Sequence, residues 1–347
     1  MKDGQKMELR LQNNTSILII YGLTHAIVDA SCIILILGGI DVRGDLLQFI
    51  LLYNICAFGL QLPFGWVNDK LHKPILTAFA GCLIIAVGLV FFINPYAATI
   101  LAGTGNALFH VGGGTVSLNL KPGKAALPGV FVAFGGIGLF AGGLSLKYLG
   151  FHPMFLVILL LSIGLCLLIV KKPLTIYKYA AIKTGNFLAL AILLFMITIA
   201  FRSAVGMAID FPWKSKTVLV VCLTLGIAFG KGFGGFIADS LGWTKTAVVS
   251  LAISAILLYF GFIPLAGILG IFLFNITMPI TLVAISNLLP GRPGFSFGLT
   301  TMALLLGSLP TFFHYKNFLS QWSMLAILAG LSTILLFVGL RIYNRNI

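Results

Sequence analysis

The chain has 347 residues, of which 59% are hydrophobic and only 9% are charged, and its mean hydropathy is +1.10. About a quarter of the residues of a soluble domain are charged, so this composition excludes a soluble protein and predicts one that lies in a bilayer. At about 20 apolar residues per crossing, the length accommodates roughly a dozen helices and no additional soluble domain.

The net charge of +14 is explained by the distribution of the basic residues, and no nucleic-acid partner is expected. If the N-terminus is inside, the segments between apolar runs place fifteen Lys and Arg on the cytoplasmic side and five outside. The positive-inside rule then predicts that both termini are cytoplasmic, and we expect a multi-pass protein of the plasma or inner membrane. The predicted spans are 16–40, 44–66, 74–93, 95–119, 126–149, 152–171, 186–208, 216–238, 244–264, 265–288, 294–313 and 320–341.

The first span contains two ionisable residues, His25 and Asp29, which are four residues apart and therefore share one face of a helix. Asp29 is the only acid that these predictions place deep within a span. The run is too long for the core of a signal peptide, so we interpret it as a retained helix.

The second span ends in a motif that is repeated 170 residues later in the chain. Each copy has a glycine, an acid four residues on at a helix end, and cations that must lie in water or among lipid headgroups. The first copy consists of Gly65, Asp69, Lys70 and Lys73, and the second of Gly235, Asp239, Gly242 and Lys245.

Polar residues also interrupt later spans. The fourth contains Asn106 and His110 within a run of small residues, which favours close helix packing. The seventh contains Arg202, the only arginine that we place inside a span. An ionisable group at that depth is costly, so it usually faces a water-filled cavity or pairs with another group.

Segments 165 residues apart are similar, which predicts an internal duplication. Leu108-Phe109-His110 matches Leu273-Phe274-Asn275, and Pro128-Gly129 matches Pro293-Gly294. We therefore expect an all-α membrane protein with about 12 transmembrane helices in two six-helix pseudo-repeats. The predicted domains are residues 1–172 and 186–347, joined by a cytoplasmic linker at 173–185 that lies in the longest polar interval.

The duplicated motif resembles the loop between the second and third helices of each half of the major facilitator superfamily. One departure is His72, which stands where the family pattern has a glycine. The polar residues of helices one, four and seven are most similar to the fosmidomycin-resistance branch of drug exporters. The resemblance implies two parallel six-helix repeats, a substrate site between them near mid-membrane, and transport by alternating access.

The candidate site has functional and structural interpretations. His25, Asp29, Asn106, His110, Arg202 and Asn275 are candidates for substrate binding and proton coupling. Alternatively, Asp29 and Arg202 form a structural ion pair, and the other four are hydrogen-bonding links between helices. The acids of the motif either anchor helix ends or form a gate, in which each meets a helix N-terminus or a cation and holds the inner side shut.

Other classes of protein lack their signatures here. The chain has one Glu, Glu8, and neither a His-Glu-x-x-His motif nor a phosphate-binding Gly-x-x-x-x-Gly-Lys loop. All five cysteines fall inside apolar runs and none is near another, so no disulfide, metal site or cofactor is expected. A channel would need a polar pore lining rather than two duplicated bundles.

The sequence therefore predicts a non-enzymatic, monomeric, proton-coupled secondary transporter of a small organic solute. The resemblance favours export of a drug or organic anion. Two alternatives stay open: an uptake or exchange carrier for an organic anion, and a transporter-like sensor or scaffold that binds without flux.

Overall fold

The described part of the chain is helical and contains no strand. The structure, a computed structural model, describes residues 2–40, 45–170, 187–313 and 315–346, with side chains from residue 14 to residue 345. The helices are α1 (Lys2–Ile34), α2 (Leu46–Asn54), α3 (Gln61–Leu71), α4 (Pro74–Val90), α5 (Pro95–Leu120), α6 (Ala126–Leu149), α7 (Pro153–Ile169), α8 (Leu188–Ala208), α9 (Thr217–Leu241), α10 (Trp243–Tyr259), α11 (Pro264–Asn275), α12 (Met278–Leu288), α13 (Pro293–Phe312), α14 (Lys316–Leu319) and α15 (Trp322–Asn346).

Eight helical segments of the described residues are long and apolar enough to cross a membrane. They are Asn14–Ile40, Leu46–Leu71, Ala126–Leu149, Leu188–Ala208, Thr217–Leu241, Pro264–Leu288, Pro293–Phe312 and Trp322–Arg345. The apolar helices α4, α7 and α10 have 17 residues each, just short of the usual span. Helix α5 has 26 residues, but its small and polar residues lower its hydropathy. The number of about 12 crossings stays a prediction.

Several elements differ from their predicted bounds. Helix α3 continues to Leu71 and α9 to Leu241, a few residues beyond the predicted spans 44–66 and 216–238, so Asp69 and Asp239 lie in the last turn of a helix. The predicted span 265–288 is divided, because α11 ends at Asn275 and α12 begins at Met278. The predicted linker at 173–185 lies outside the described residues.

The chain divides into two compact units. Unit 1 comprises Met1–Pro122, Val130–Tyr177 and Pro293–Phe295, and unit 2 comprises Gly123–Gly129, Lys178–Arg292 and Ser296–Ile347. Unit 1 thus includes the first three residues of α13, and unit 2 includes the first four residues of α6.

Glycines determine how closely the helices of unit 1 approach. A Cβ at Gly81 of α4 would overlap the backbone of α5 at Gly105 and Phe109, and a Cβ at Gly112 would overlap α4 at Ala78. Small residues therefore allow α4 and α5 to pack backbone against backbone, as the small-residue run predicts. This packing holds the polar side chains of α5 in a fixed position.

Unit 2 has an apolar core built from the inward faces of α8 to α13 and α15. Phe195, Leu251, Phe274 and Leu336 are among its fully buried side chains. Trp213 follows α8 and donates its indole Nε1–H to the carbonyl of Gly261 at 3.0 Å. Among the described residues of the unit, the buried polar side chains are those of Ser and Thr, apart from the charged Arg202 of α8.

Candidate functional site

A cluster of ionisable side chains lies inside unit 1, between α1 and α5. His25 Nε2 is 3.3 Å from Asp29 Oδ2, so the two residues share a helix face as their spacing predicts. His110 Nε2 of α5 is 2.8 Å from His25 Nε2 and 3.8 Å from Asp29 Oδ1. The side chains of His25, Asp29 and His110 are 4%, 10% and 12% exposed, so the cluster is almost completely buried.

Backbone and amide groups hold each member of the cluster. His25 Nδ1 donates to the carbonyl of Phe131 at 2.8 Å, and His110 Nδ1 donates to the carbonyl of Asn106 at 2.9 Å. The Asn106 amide nitrogen donates to Asp29 Oδ1 at 2.9 Å. Asn106 therefore belongs to this cluster rather than to a separate binding position.

The two carbonyl contacts determine which ring nitrogens carry protons. A carbonyl only accepts, so Nδ1 of each imidazole must bear a hydrogen. In the neutral rings both Nε2 atoms then present lone pairs, and these atoms are 2.8 Å apart beside a carboxylate. Such an arrangement requires a positive charge at its centre, which a proton or a metal ion supplies.

Close packing surrounds the cluster. The ring centroid of Phe131 lies 4.5 Å from that of His25, and the Phe109 ring lies 5.8 Å away. A Cβ at Gly135 of α6 would overlap the His25 ring and the Asp29 carboxylate, so only glycine fits there. The apolar rings lower the local dielectric and strengthen electrostatic interactions within the cluster.

Arg202 is the buried cation of unit 2. Its guanidinium donates to Thr277 Oγ1 at 3.2 Å and to Thr281 Oγ1 at 3.4 Å, at the break between α11 and α12. In the described part of unit 2 the ion pair is Lys214–Asp210, so Arg202 has no carboxylate partner within its unit. The two hydroxyl groups leave much of the guanidinium's hydrogen-bonding capacity for a ligand.

Asn275, the counterpart of His110 in the duplicated sequence, makes a local hydrogen bond. Its amide donates to the carbonyl of Ile271, one turn back on the same helix, at 2.9 Å. The neighbouring Thr277 is the residue that contacts Arg202. The sequence did not single out Thr277 and Thr281, because a hydroxyl in an apolar helix normally bonds its own backbone. Their four-residue spacing, which places both on one helix face, was the available signal.

The first copy of the duplicated motif binds a helix N-terminus within unit 1. Asp69 accepts hydrogen bonds from the backbone N–H groups of Gly294 and Phe295, both at 2.8 Å, in the first turn of α13. These N–H groups have no partner within their own helix, and the positive end of the helix dipole favours the carboxylate. A Cβ at Gly65 would overlap the backbone of Gly294, which explains the motif's glycine.

The second copy makes the equivalent contact within unit 2. Asp239 accepts from the backbone N–H groups of Ala125 and Ala126, both at 3.1 Å, where α6 begins. The Trp243 indole also donates to Asp239 at 3.0 Å. A Cβ at Gly235 would overlap Ala125, so the glycine again permits close approach to a helix start.

The residue after each helix of the motif has a positive φ. Gly242 has φ of 92°, and His72, which replaces the expected glycine, has φ of 56°. His72 has ψ of 34° and is thus in the left-handed α region, which His tolerates, whereas Gly242 has ψ of 138°; the two turns share a positive φ but differ in geometry.

The motif cations are exposed. Lys70 lies 3.6 Å above the Trp66 ring, Lys73 precedes the first residue of α4, and Lys245 lies in the first turn of α10. In the part of the chain that the structure describes, backbone N–H groups, rather than these lysines, bind the two acids.

Comparison with known proteins identifies the fold. No protein-family model matches the sequence, and no curated protein matches it.

The structure is similar to that of the fucose:proton symporter of Escherichia coli, with a TM-score of 0.75 and 13% identity over 94% of this chain and 98% of that one. It is also similar to the human organic anion transporter MFSD10, with a TM-score of 0.67 and 14% identity over 93% and 99% of the two chains. A bacterial homologue of the iron transporter ferroportin matches with a TM-score of 0.63 and 14% identity over 96% and 98%. The chain thus has the fold of major facilitator superfamily transporters.

Proposed function

We propose that the chain is a member of the major facilitator superfamily and a proton-coupled secondary transporter of a small organic solute. The fold supports a membrane transporter, and the observation that carries the coupling is the His25–Asp29–His110 cluster. We further propose about 12 crossings in two six-helix repeats at 1–172 and 186–347, with cytoplasmic termini and function as a monomer. The protein is not an enzyme in this proposal.

The cluster has the chemistry of a reversible proton site. One proton between the two Nε2 atoms removes the repulsion of their lone pairs and places a positive charge beside Asp29. Loss of that proton leaves a buried carboxylate that accepts a hydrogen bond from the Asn106 amide and faces the lone pairs of two neutral rings. The two states differ by one charge in a low-dielectric setting, so a rearrangement of the surrounding helices changes which state is favoured.

The substrate is best described as a small organic anion. Arg202 is buried, lacks a carboxylate partner among the described residues of its unit, and has a planar fork suited to a carboxylate or phosphonate. Export agrees with the resemblance to the fosmidomycin-resistance branch. Uptake or exchange of an organic anion is the second candidate, and the basic character of His25, His110 and Arg202 favours it.

We propose that the two motif contacts stabilise one conformational state of the transporter. Each combines a carboxylate, two helix N-terminal N–H groups and a glycine that permits close approach. In a cycle of alternating access, such contacts form in one state and separate in the other. Their duplication matches the two repeats of the sequence.

The experiment has two stages. Purified protein is first screened by thermal shift with amphiphilic drugs, small phosphonates and small carboxylates, since ligand binding stabilises the folded state. The ligands found are then tested in proteoliposomes with and without a pH gradient. Accumulation driven by the pH gradient supports a proton-coupled transporter. Binding with no flux in either assay would instead identify a sensor or scaffold.

A further inference from the structure

The three ionisable residues of unit 1 also have the composition of a transition-metal site. The ligand atoms of His25, Asp29 and His110 all lie within 4.8 Å of one another. Two imidazole nitrogens and a carboxylate suit first-row divalent transition metals, whereas Mg²⁺ and Ca²⁺ prefer oxygen ligands alone. The spacing of the cysteines predicted no metal site, and the pairing of His110 with His25, 85 residues apart, has no local signal in the sequence.

The distances fit coordination after a small adjustment. In a tetrahedral site with bonds of about 2.05 Å, neighbouring ligand atoms are about 3.3 Å apart. The observed separations are 2.8 Å between the two Nε2 atoms, 3.3 Å from His25 Nε2 to Asp29 Oδ2 and 3.8 Å from His110 Nε2 to Asp29 Oδ1, so the two imidazoles face different oxygens of the carboxylate. Since one ligand atom from each residue lies within 4.8 Å of the others, a rotation of the carboxylate and side-chain movements of about 1 Å complete the geometry.

The outer contacts are those of metal-binding residues. A histidine that ligates a metal normally donates its other ring nitrogen to a carbonyl or carboxylate, which orients the ring. Both histidines do this here, to the carbonyls of Phe131 and Asn106. The Asn106 amide orients the Asp29 carboxylate in the same way. A single residue thus positions two of the three ligands.

We propose that His25, Asp29 and His110 bind a divalent first-row transition-metal ion, with Zn²⁺ as the probe. The ion supplies the positive charge that the two facing Nε2 lone pairs and the carboxylate require. Three protein ligands leave a fourth position for water, which is the pattern of an exchangeable site rather than a closed structural one. The metal occupies the atoms that otherwise hold the coupling proton, so Zn²⁺ inhibits proton-driven transport.

Zn²⁺ titration of the purified full-length protein without a polyhistidine tag tests the proposal. We expect one ion per chain, and at least about 100-fold weaker binding in each of His25→Gln, Asp29→Asn and His110→Gln, since even outer contacts of a metal site are worth 10–100-fold. His152→Gln is the matched control, because this histidine is exposed and bonds the carbonyl of Leu149. It should bind Zn²⁺ as the wild type does.

Co²⁺ absorption of the wild-type protein gives a readout that needs no variant. Intense visible bands are expected for a four- or five-coordinate ion with nitrogen ligands. The weak spectrum of the hydrated ion, or equal Zn²⁺ binding by wild type and His110→Gln, would overturn the proposal. Thermal unfolding without metal identifies any cluster variant that fails to fold. Zn²⁺ binding by the remaining variants then decides whether the cluster is the metal site.

This test is independent of the proposed transport function. Metal binding is measured on purified protein, with no substrate and no membrane gradient. A protein that binds Zn²⁺ at the cluster yet transports nothing would refute the transporter proposal alone. One that transports a solute but binds no metal would refute only the metal site.

Discussion

At the scale of single residues, Asp29 is the acid on which proposed coupling depends. Its Asn variant mimics the protonated carboxyl, so we expect exchange of substrate down its own gradient to persist. Accumulation driven by a pH difference should be lost, because without the Asp29 carboxylate no negative charge stabilises the buried proton that His25 and His110 share, and the cluster stays neutral during the cycle. Paired proteoliposome assays, one with a pH gradient and one with a substrate gradient only, make this measurement.

The contrary outcome for Asp29 is also informative. Normal pH-driven transport by Asp29→Asn would remove Asp29 as the coupling group and direct attention to His25 and His110. Asp45→Asn serves as the control, since Asp45 caps α2 through the backbone N–H of Leu47 at 3.1 Å and lies outside the cluster. It should behave as the wild type in both assays.

Arg202→Lys tests whether the guanidinium fork binds an anionic substrate. A lysine keeps the charge but offers no planar pair of donors, and a charged hydrogen bond is worth about 1.5–3 kcal/mol. We expect affinity for a carboxylate or phosphonate ligand to fall at least about tenfold, measured by equilibrium binding.

The matched control for Arg202 is Arg341→Lys, at an exposed position beside Phe337 on α15. It should leave affinity unchanged. If the true ligand is neutral or cationic and Arg202→Lys binds it normally, Arg202 does not recognise the substrate.

At the scale of helices, we expect substitution of either motif acid to change the equilibrium between the conformational states of the transport cycle. Asp69→Asn weakens a carboxylate contact to two helix N-terminal N–H groups, which we expect to cost about 1–2 kcal/mol in the state that contains it. Substrate binding should stay largely intact while transport slows, because only the equilibrium between states changes. Asp239→Asn should have a similar effect, since its contact is equivalent. Equal loss of binding and transport would indicate a folding defect instead.

The motif glycine gives a prediction about packing. Gly65→Ala places a methyl group against the Gly294 backbone, and overpacking of this kind costs about 1–3 kcal/mol. The control is Gly143→Ala in α6, where a Cβ has no neighbour within 4 Å. Replacing a helical glycine there should be neutral or stabilising by up to about 1 kcal/mol. Thermal unfolding of both variants compares them, and equal stability would contradict the close approach.

At the scale of the whole molecule, the predicted topology is testable by reporter fusions. An even number of crossings with a cytoplasmic N-terminus requires a cytoplasmic C-terminus. A fluorescent protein fused after residue 347 should therefore fluoresce, and alkaline phosphatase fused there should be inactive. Phosphatase fused after residue 151, in a predicted outer turn, should be active. An active C-terminal phosphatase would exclude 12 crossings with an inside N-terminus.

The membrane class and the helical fold follow from the sequence alone, because backbone groups in lipid must bond within a helix or a closed barrel. Long apolar runs therefore predict helices whatever the tertiary arrangement. The pairing of His25 with Asp29 was predictable for the same reason, since helical periodicity brings residues four apart together.

Tertiary structure alone decided which partners the polar residues have. His110 lies 85 residues from His25, and Gly294 lies 225 residues from Asp69, so no local pattern encodes either contact. The Phe131 carbonyl, which orients His25, is invisible in sequence because every residue has one. The helix period sets which side chains share a face, but only the packing of one helix against another determines what that face meets.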